Sequence, residues 1–415
     1  MSSFSSRRTF INGVIPAAVA VARFPTLLNA AAQDESYWTL VRSHFPFSDA
    51  RVPMNAANLC PSPRAVADKA AALTRDMDFD CSARNREKFT RLLEESRTQI
   101  ASQLGVTADE IALVRNTSEA NNIINNGLPL KAGDEVVLWD QNHPTNNVAW
   151  DVRAARFGIL VKRVSTPESP VRSDDLADVF ERAITPRTRV LAITYVSNVS
   201  GIRLPVKKLC DIARSRRVYI HVDGAQAWGA FHLNLRDLGC DSFSASSHKW
   251  FMGPREVGLL YVRKERIPEI WPNTVAPGWG TDAEPDVVGA RKFESLGQRD
   301  DAKLAAIRTA AEFHASIGIA AVESRMLALA SALKNRVRAL DLPLATPMDP
   351  ALSGGVVIIH GKPEQAKRAY ELLDRERGIA GAATGGLRLC PHIYNTMAHV
   401  ERAIEGIRSM RELFV

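Results

Sequence analysis

Two polar motifs contain the residue types that amine chemistry requires. Residues 221–226 follow one apolar run and include Asp223, and residues 244–250 follow the next run and include Lys249, 26 positions after the acid. Open α/β sheets bind their ligands at the carboxyl ends of strands, where both motifs would lie. A lysine amine buried beside other cations has a lowered pKa and can attack a carbonyl carbon. Alone, each motif is ambiguous, because a strand-end Asp often forms a turn and a Lys is usually a surface charge.

The elements that would position these motifs alternate along the chain. Apolar β-branched runs predict five strands, at residues 111–114, 135–139, 189–195, 218–222 and 257–262. Amphipathic helices are expected between several of them, for example over residues 173–183 and 206–215. Continuous apolar strands separated by helices indicate an α/β fold with a mainly parallel sheet that is covered on both faces.

The chain is expected to comprise four segments: a signal peptide (residues 1–32), an N-terminal segment that packs on the small domain (33–60), a large cofactor-binding domain (61–295) and a small C-terminal domain (296–415). Helical spacing extends over residues 65–105 in the large domain. The last segment begins with one long helix, and a strand and a second helix follow, at residues 301–340, 355–359 and 364–377. This change of pattern predicts a separate α+β domain.

An ordered series of further motifs accompanies the acid and the lysine. It comprises residues 54–59, 61–63, 116–120, 142–147, 197–201, 293–300 and 387–396. Together with the first two motifs, the series resembles the class V aminotransferase family. These are fold-type I enzymes that depend on pyridoxal 5′-phosphate (PLP), and they include cysteine desulfurases and isopenicillin N epimerase-like proteins. The resemblance implies a large domain with a seven-stranded, mainly parallel sheet between helices, a small α+β domain, and a homodimer.

The resemblance also assigns roles to residues. Lys249 would bind PLP as a Schiff base and move the proton on the substrate Cα, and Asp223 would keep the pyridine nitrogen protonated so that the ring accepts electrons. His143 would stack on the ring as a third catalytic residue. The cofactor's phosphate and its phenolic oxygen would be held by the other predicted contacts: Thr117, Ser118, Asn198, Gln226, Ser246 and His248.

Arg388 resembles the family's clamp for the substrate carboxylate. A guanidinium is a planar fork that can donate two parallel hydrogen bonds to the α-carboxylate of an amino acid. Gly278-Trp279-Gly280 is a weaker match to a loop that reaches the phosphate of the neighbouring subunit. The resemblance therefore predicts a small-molecule substrate that carries both an amino group and a carboxylate.

The N-terminus has the layout of a twin-arginine export signal. Arg7 and Arg8 precede a mildly apolar stretch over residues 13–22, and small residues at 29–32 stand before the first acids. The apolar stretch is too short to remain as a membrane anchor. We expect the twin-arginine translocase to carry the folded enzyme to the periplasm, because a PLP enzyme must acquire its cofactor in the cytoplasm. The signal adds a resemblance to periplasmic PLP enzymes that tailor pyoverdine-type peptide siderophores.

Composition and spacing argue against several other classes of protein. The formal net charge of +7 falls to +4 without the arginines of residues 1–32, and no dense basic run is interleaved with aromatic residues, so a nucleic-acid partner is not expected. The five cysteines have neither CxxC spacing nor the spacing of metal ligands. We therefore expect neither a disulfide framework nor a metal site.

The fold does not decide the reaction, because transaminases, racemases, desulfurases, lyases and oxidative decarboxylating enzymes share it. Desulfurases need a cysteine on a loop ahead of the carboxylate-binding arginine, and residues 336–387 contain none. We expect a transaminase-like enzyme that acts on the amino group of an amino acid or a peptide-derived metabolite. A PLP-dependent lyase or epimerase is the alternative among enzymes. A non-catalytic binding protein on the same fold is a third possibility, which loss of Lys249 or Asp223 would indicate.

Overall fold

The computed structural model describes residues 34–276 and 288–414. The α-helices in these two ranges are α1 (Glu35–Ser43), α2 (Arg64–Phe79), α3 (Ala83–Gln103), α4 (Thr117–Gly127), α5 (Pro144–Phe157), α6 (Ser173–Ala183), α7 (Val206–Ser215), α8 (Leu235–Leu238), α9 (Asp301–Ile317), α10 (Ile319–Ala339), α11 (Pro363–Arg377) and α12 (Met397–Ser409). The strands are β1 (Val52–Pro53), β2 (Ile111–Val114), β3 (Glu135–Trp139), β4 (Leu160–Val164), β5 (Thr188–Thr194), β6 (Tyr219–Asp223), β7 (Ser242–Ser246), β8 (Gly258–Val262), β9 (Val357–Ile359), β10 (Ile379–Ala380), β11 (Ala382–Ala383) and β12 (Leu387–Leu389).

A seven-stranded sheet forms the centre of the larger part, with the strand order β2-β8-β7-β6-β5-β3-β4. Strand β8 runs antiparallel to its neighbours β2 and β7, and the other neighbouring strands pair in parallel. Along β5, Leu191 and Ile193 pack on one face with residues of α6 and α7, while Val190 and Ala192 pack on the other face with residues of α4 and α5. A sheet buried on both faces explains the continuous apolar runs. The predicted α/β fold with a mainly parallel sheet is confirmed.

The C-terminal part contains an antiparallel sheet with the strand order β11-β12-β9, and α10, α11 and α12 pack beside it. Residues 52–53 near the N-terminus pair in parallel with β10. This pairing joins the N-terminal segment to the same hydrophobic cluster as the C-terminal helices. Arg388 lies in the middle of β12, with β9 on one side and β11 on the other.

The prediction of one helix over residues 301–340 is wrong. Two helices, α9 and α10, meet at an angle of 78°. Gly318 stands between them with a φ of +88° and a ψ of 127°, a conformation that ends a right-handed helix and that only glycine adopts without strain. No single helix among the described residues is long and apolar enough to cross a membrane. Helices α9 and α10 taken together have the length and the apolar composition of a span, but they are bent relative to each other.

Strand β4 was not predicted from the sequence. It lies at the edge of the sheet, and its residues Lys162 and Arg163 are not buried. An edge strand that carries two cations lacks the continuous apolar run by which the buried strands are recognised. The helical spacing over residues 65–105 is also divided, because residues 80–82 separate α2 from α3.

Candidate active site

The carboxyl ends of the parallel strands bring the two polar motifs to one edge of the sheet. Asp223 is the last residue of β6 and pairs with Thr194 of β5 on one side and with Ser244 of β7 on the other. Ser246 ends β7, and Lys249 follows three residues later. Both motifs therefore lie at the ends of strands, as the sequence predicted.

Two helix starts meet the same edge. Helix α4 begins at Thr117, directly after β2, and α5 begins at Pro144 with His143 as its N-cap. The neighbouring Asn142 side chain fixes the position of His143, because it donates to the Ala192 carbonyl (2.9 Å) and accepts from the Thr194 N–H (2.8 Å). The ring of His143 is thus held beside the ends of the central strands.

Lys249 is the candidate nucleophile, and its surroundings suit that task. Its amine forms no hydrogen bond or ion pair with any residue in the described ranges. Burial lowers the pKa of Lys249; the Asp223 carboxylate opposes this shift and the Arg388 guanidinium adds to it. A lower pKa increases the fraction of neutral amine that can attack an aldehyde carbon.

His143 interacts electrostatically with the same three groups. Burial is the main cause of its lowered pKa, and the charges of Lys249 and Arg388 lower the pKa further, whereas Asp223 raises it. All three predicted catalytic residues and the predicted carboxylate clamp therefore lie close enough to interact electrostatically at one site. The lowered pKa favours the neutral form of the His143 ring.

Asp223 is almost completely buried and both of its oxygens accept hydrogen bonds. The Ala225 N–H donates to Oδ1 (3.0 Å), and the Asn121 side-chain amide donates to Oδ2 (2.9 Å). The turn after Asp223 requires glycine, because a Cβ on Gly224 would lie 1.8 Å from the Phe243 ring. Asn121 was not predicted from the sequence. Its position four residues after Thr117, on the same face of α4, could have indicated that it lies near the site.

Three of the predicted phosphate contacts lie around the first turn of α4. The Ser246 hydroxyl accepts from the Thr117 N–H (2.8 Å) and lies 2.7 Å from the Thr117 hydroxyl. Ser118 occupies the next position of the helix, whose first-turn N–H groups favour an anion. His248 is two residues after Ser246. Burial lowers the pKa of its ring to about 4, so this ring is neutral.

Gln226 and Asn198 are placed by contacts with the protein itself. The Gln226 side chain donates to the Ala57 carbonyl (3.0 Å) and accepts from the Trp250 indole N–H (2.7 Å). Its oxygen is thereby held by the residue next to Lys249. Asn198 is buried, and its backbone carbonyl accepts from Arg388 at 3.0 Å. Gly278-Trp279-Gly280, the weaker match, lies outside the described residues.

Arg388 is buried and fixed from two sides. One terminal nitrogen donates to the Asn198 carbonyl, and the other donates to the Asn55 side chain at 3.1 Å. Its Nε has no acceptor among the described residues. A buried guanidinium with an unused donor is suited to an anionic group, and no acidic side chain in the described ranges forms an ion pair with it.

The residues present fit PLP. An unpartnered lysine amine can take up the aldehyde, the buried Asp223 carboxylate can pair with a pyridine nitrogen, and the hydroxyls of Thr117 and Ser246 stand at a helix start that favours phosphate. When bound, PLP supplies an electron-accepting ring for reactions at the carbon that bears an amine. These residues together thus provide the donor set of a fold-type I PLP enzyme.

Comparison with known proteins agrees with this site. The chain belongs to the class V aminotransferase family, whose profile, Aminotransferase class-V, matches residues 62–409. The cofactor of this family is PLP, and the prediction of a PLP-dependent enzyme is confirmed at this level.

Two relatives illustrate the range of activities. Isopenicillin N epimerase from Amycolatopsis lactamdurans is 30% identical over 402 residues, which cover 90% of this chain and 98% of that protein. A probable cysteine desulfurase from Xylella fastidiosa (strain 9a5c) is 28% identical over 419 residues, which cover 93% of this chain and 98% of that protein. Similar overall sequences therefore accompany different reactions.

Solved structures share the fold. The apo structure of a cysteine desulfurase from Thermococcus onnurineus NA1 has a TM-score of 0.81 at 21% identity and covers 92% of this chain and 99% of its own. The cysteine desulfurase CsdA from Escherichia coli has a TM-score of 0.80 at 22% identity and covers 92% of this chain and 100% of its own. At these identities the likeness establishes the fold-type I architecture.

Proposed function

We propose that this PLP-dependent enzyme acts on the amino group of an amino acid or a peptide-derived metabolite, with a transaminase-like outcome. The observation that carries the proposal is that the buried Arg388, fixed by two hydrogen bonds and left with an unused Nε donor, lies near enough to Lys249 and Asp223 to interact electrostatically with the lysine. Arg388 would orient the substrate carboxylate, Lys249 would take the proton from the adjacent carbon, and Asp223 would hold a proton on the cofactor's ring nitrogen. In a transamination, Lys249 would carry that proton away from the substrate carbon, and bound PLP would supply the electron-accepting ring.

Epimerisation is the second candidate, and the similarity to isopenicillin N epimerase over 90% of the chain favours it. The two reactions begin alike, with removal of the same proton. They differ in product: a transamination would remove the amino group from the substrate and leave a carbonyl group, whereas an epimerisation would return a proton to the opposite face of the substrate carbon. A PLP-dependent lyase, which would expel a group from the neighbouring carbon, is the third variant of this chemistry.

Persulfide chemistry is a poorer proposal, although cysteine desulfurases are among the relatives. The stretch that precedes Arg388, residues 336–387, contains no cysteine. Cys390 follows Arg388, but it is fully buried and burial raises the pKa of its thiol. A thiol that stays protonated is a weak nucleophile for sulfur.

We also propose a periplasmic location, with a peptide siderophore precursor of the pyoverdine type as one substrate to test. The support is the layout of residues 1–32, which lie outside the described residues. A homodimer is proposed from the family resemblance alone.

The reaction can be assigned from product masses in deuterated water. The enzyme, loaded with PLP, is incubated with amino acids or siderophore precursors and a 2-oxo acid as amino acceptor. Transamination would convert the substrate amine to a carbonyl group and aminate the acceptor. Epimerisation would leave the composition unchanged, apart from one deuterium on the carbon, and would give both stereoisomers. If no substrate with a free amino group reacts or exchanges its proton, the proposal is wrong.

The role of Arg388 can be tested separately. Replacing Arg388 by Lys keeps the charge and removes the planar fork, so substrate binding should weaken by about 2 to 4 kcal/mol while PLP attachment is unchanged. Exposed Arg368 on α11 is a matched control, and its replacement by Lys should leave both unchanged. Equal turnover of substrates with and without the carboxylate would refute the clamp.

A further inference from the structure

A chain of hydrogen bonds behind Asp223 connects three elements of the fold. His221 and Asp223 are two residues apart on β6, and Ser242 and Ser244 are two residues apart on β7, so each pair points to one face of the sheet. The two strands are in register, with His221 opposite Ser242 and Asp223 opposite Ser244. Asn121 of α4 packs onto this face and is 2% exposed.

The chemistry of each group fixes the direction of the chain. An ionised carboxylate only accepts, so the Asn121 atom that faces Asp223 at 2.9 Å must be the amide nitrogen. The Asn121 oxygen therefore faces His221 and Ser244 and must accept from both. The Ser244 hydroxyl donates to this oxygen, and His221 Nε2 lies 2.9 Å from it and must carry a hydrogen.

The same reasoning continues to the next strand. Burial lowers the pKa of His221 to about 4, so the ring is neutral and its other nitrogen, Nδ1, is an acceptor. The Ser242 hydroxyl lies 2.8 Å from Nδ1 and is the donor. Hydrogen bonds thus run one way, from Ser242 through His221 and Asn121 to the Asp223 carboxylate.

We propose that Asn121 is a positioning residue that holds the Asp223 carboxylate in place and aims it at the cofactor's ring nitrogen. The Asn121 amide donates to Oδ2 and the Ala225 N–H donates to Oδ1, so the carboxylate cannot rotate without losing both hydrogen bonds. The donors also align along one chain, which strengthens the last bond to the charged group. The inference requires that PLP binds at this site. It depends on the proposed function only because that function makes the ring nitrogen the partner of Asp223.

The direct test is the protonation of the ring nitrogen. PLP labelled with ¹⁵N is bound to the protein, and the chemical shift of the nitrogen is measured without substrate. The unaltered protein should give the shift of a protonated pyridine. Asn121→Leu should move the shift toward that of the neutral ring. This readout would not respond to a residue that only supports the packing of α4.

A matched control lies one position along the same helix. Asn122 donates only to the Ser118 carbonyl, one turn earlier in α4, and it is not fully buried. Asn122→Leu should leave the nitrogen shift unchanged. If both leucine variants give the same shift as the unaltered protein, or if both change it equally, Asn121 has no specific role and the inference fails.

Leucine at position 121 would leave the Ser244 and His221 donors without an acceptor, so a second variant is needed in case the protein does not fold. Asn121→Ala leaves space in which water can accept those bonds, and it should show a smaller move of the shift in the same direction. An Asn121→Ala protein that binds PLP with an unchanged shift would overturn the inference.

Kinetics provides a further comparison. Loss of one hydrogen bond to a charged group should reduce kcat by about ten- to a hundredfold in Asn121→Ala, with little change in KM. A PLP analogue with carbon in place of the ring nitrogen should abolish this difference between the variant and the unaltered protein. Because the nitrogen shift requires no substrate, failure of the proposed reaction would still leave the role of Asn121 decided.

Discussion

At the scale of single residues, Lys249 illustrates how position converts an ordinary side chain into a reactive one. Burial and the charge of Arg388 lower its pKa, and no partner among the described residues occupies its amine. A side chain whose main task is chemical can be removed with little loss of packing. The cofactor then loses its covalent attachment and keeps its other contacts.

We therefore expect Lys249→Ala to fold and to bind PLP without a covalent bond. Borohydride reduction followed by peptide mass spectrometry should find PLP on Lys249 in the unaltered protein and nowhere in the variant. Exposed Lys264 serves as the control, since Lys264→Ala should keep the label. A reduced adduct on another lysine in the Lys249→Ala protein would show that the assignment is incorrect.

Some residues of the site could be predicted from the sequence, and others could not. Lys249, Asp223 and Arg388 could be found because each stands in a motif that can be read along the chain. Asn121 acts on Asp223 from 102 positions away, and its role arises only because α4 packs against β6 and β7. Contacts of that kind depend on tertiary packing, which no local pattern encodes.

At the scale of elements, most of the buried strands of the large sheet were predictable, whereas β7, with three serines among its five residues, and the breaks between helices were not. Apolar runs identified β2, β3, β5, β6 and β8 to within one residue at each end, because a strand buried on both faces has few alternatives. The separation of α9 from α10 depends on a single glycine. One glycine within a helical pattern is tolerated, so the pattern alone does not predict a bend.

Gly318 should therefore be sensitive to substitution for reasons of backbone conformation alone. Nothing lies within 4 Å of the position that a Cβ would occupy, but the φ of +88° strains any other residue. We expect Gly318→Ala to lower the free energy of unfolding by about 1 to 3 kcal/mol, measured by urea denaturation. Gly297 is equally open and has no positive φ, so Gly297→Ala should be close to neutral. Equal effects of the two substitutions would contradict this explanation of the bend.

At the scale of the whole molecule, several buried histidines make stability depend on pH. Burial lowers the pKa of His221 and His314 to about 4 and that of His392 to about 3, against an ordinary value of 6.5. In this range the unfolded chain binds protons that the folded protein does not. Stability is therefore complete above about pH 6.5 and falls as the pH drops toward 4.

We predict that the free energy of unfolding decreases by up to about 1.4 kcal/mol per pH unit for each of these histidines below pH 6. Urea denaturation at pH 7, 6 and 5 measures the slope. Replacing His314 by Gln, which can still donate to the Phe251 carbonyl, should reduce that slope by the share of one histidine. A free energy of unfolding that stays constant from pH 7 to pH 5 would rule out neutral buried histidines.

The proposed periplasmic location depends on residues 1–32, which lie outside the described residues. Arg7 and Arg8 precede an apolar stretch, and a pathway that reads the arginine pair would not accept two lysines of equal charge. We therefore expect the double replacement Arg7→Lys and Arg8→Lys to retain the protein in the cytoplasm, with its PLP bound and its activity intact.

Replacing Arg23 by Lys is the matched control and should leave export unchanged. Cell fractionation followed by absorption spectroscopy of each fraction separates the outcomes: a periplasmic double variant would refute the signal. A cytoplasmic variant without cofactor would instead indicate that PLP is acquired after export, contrary to transport of the folded enzyme.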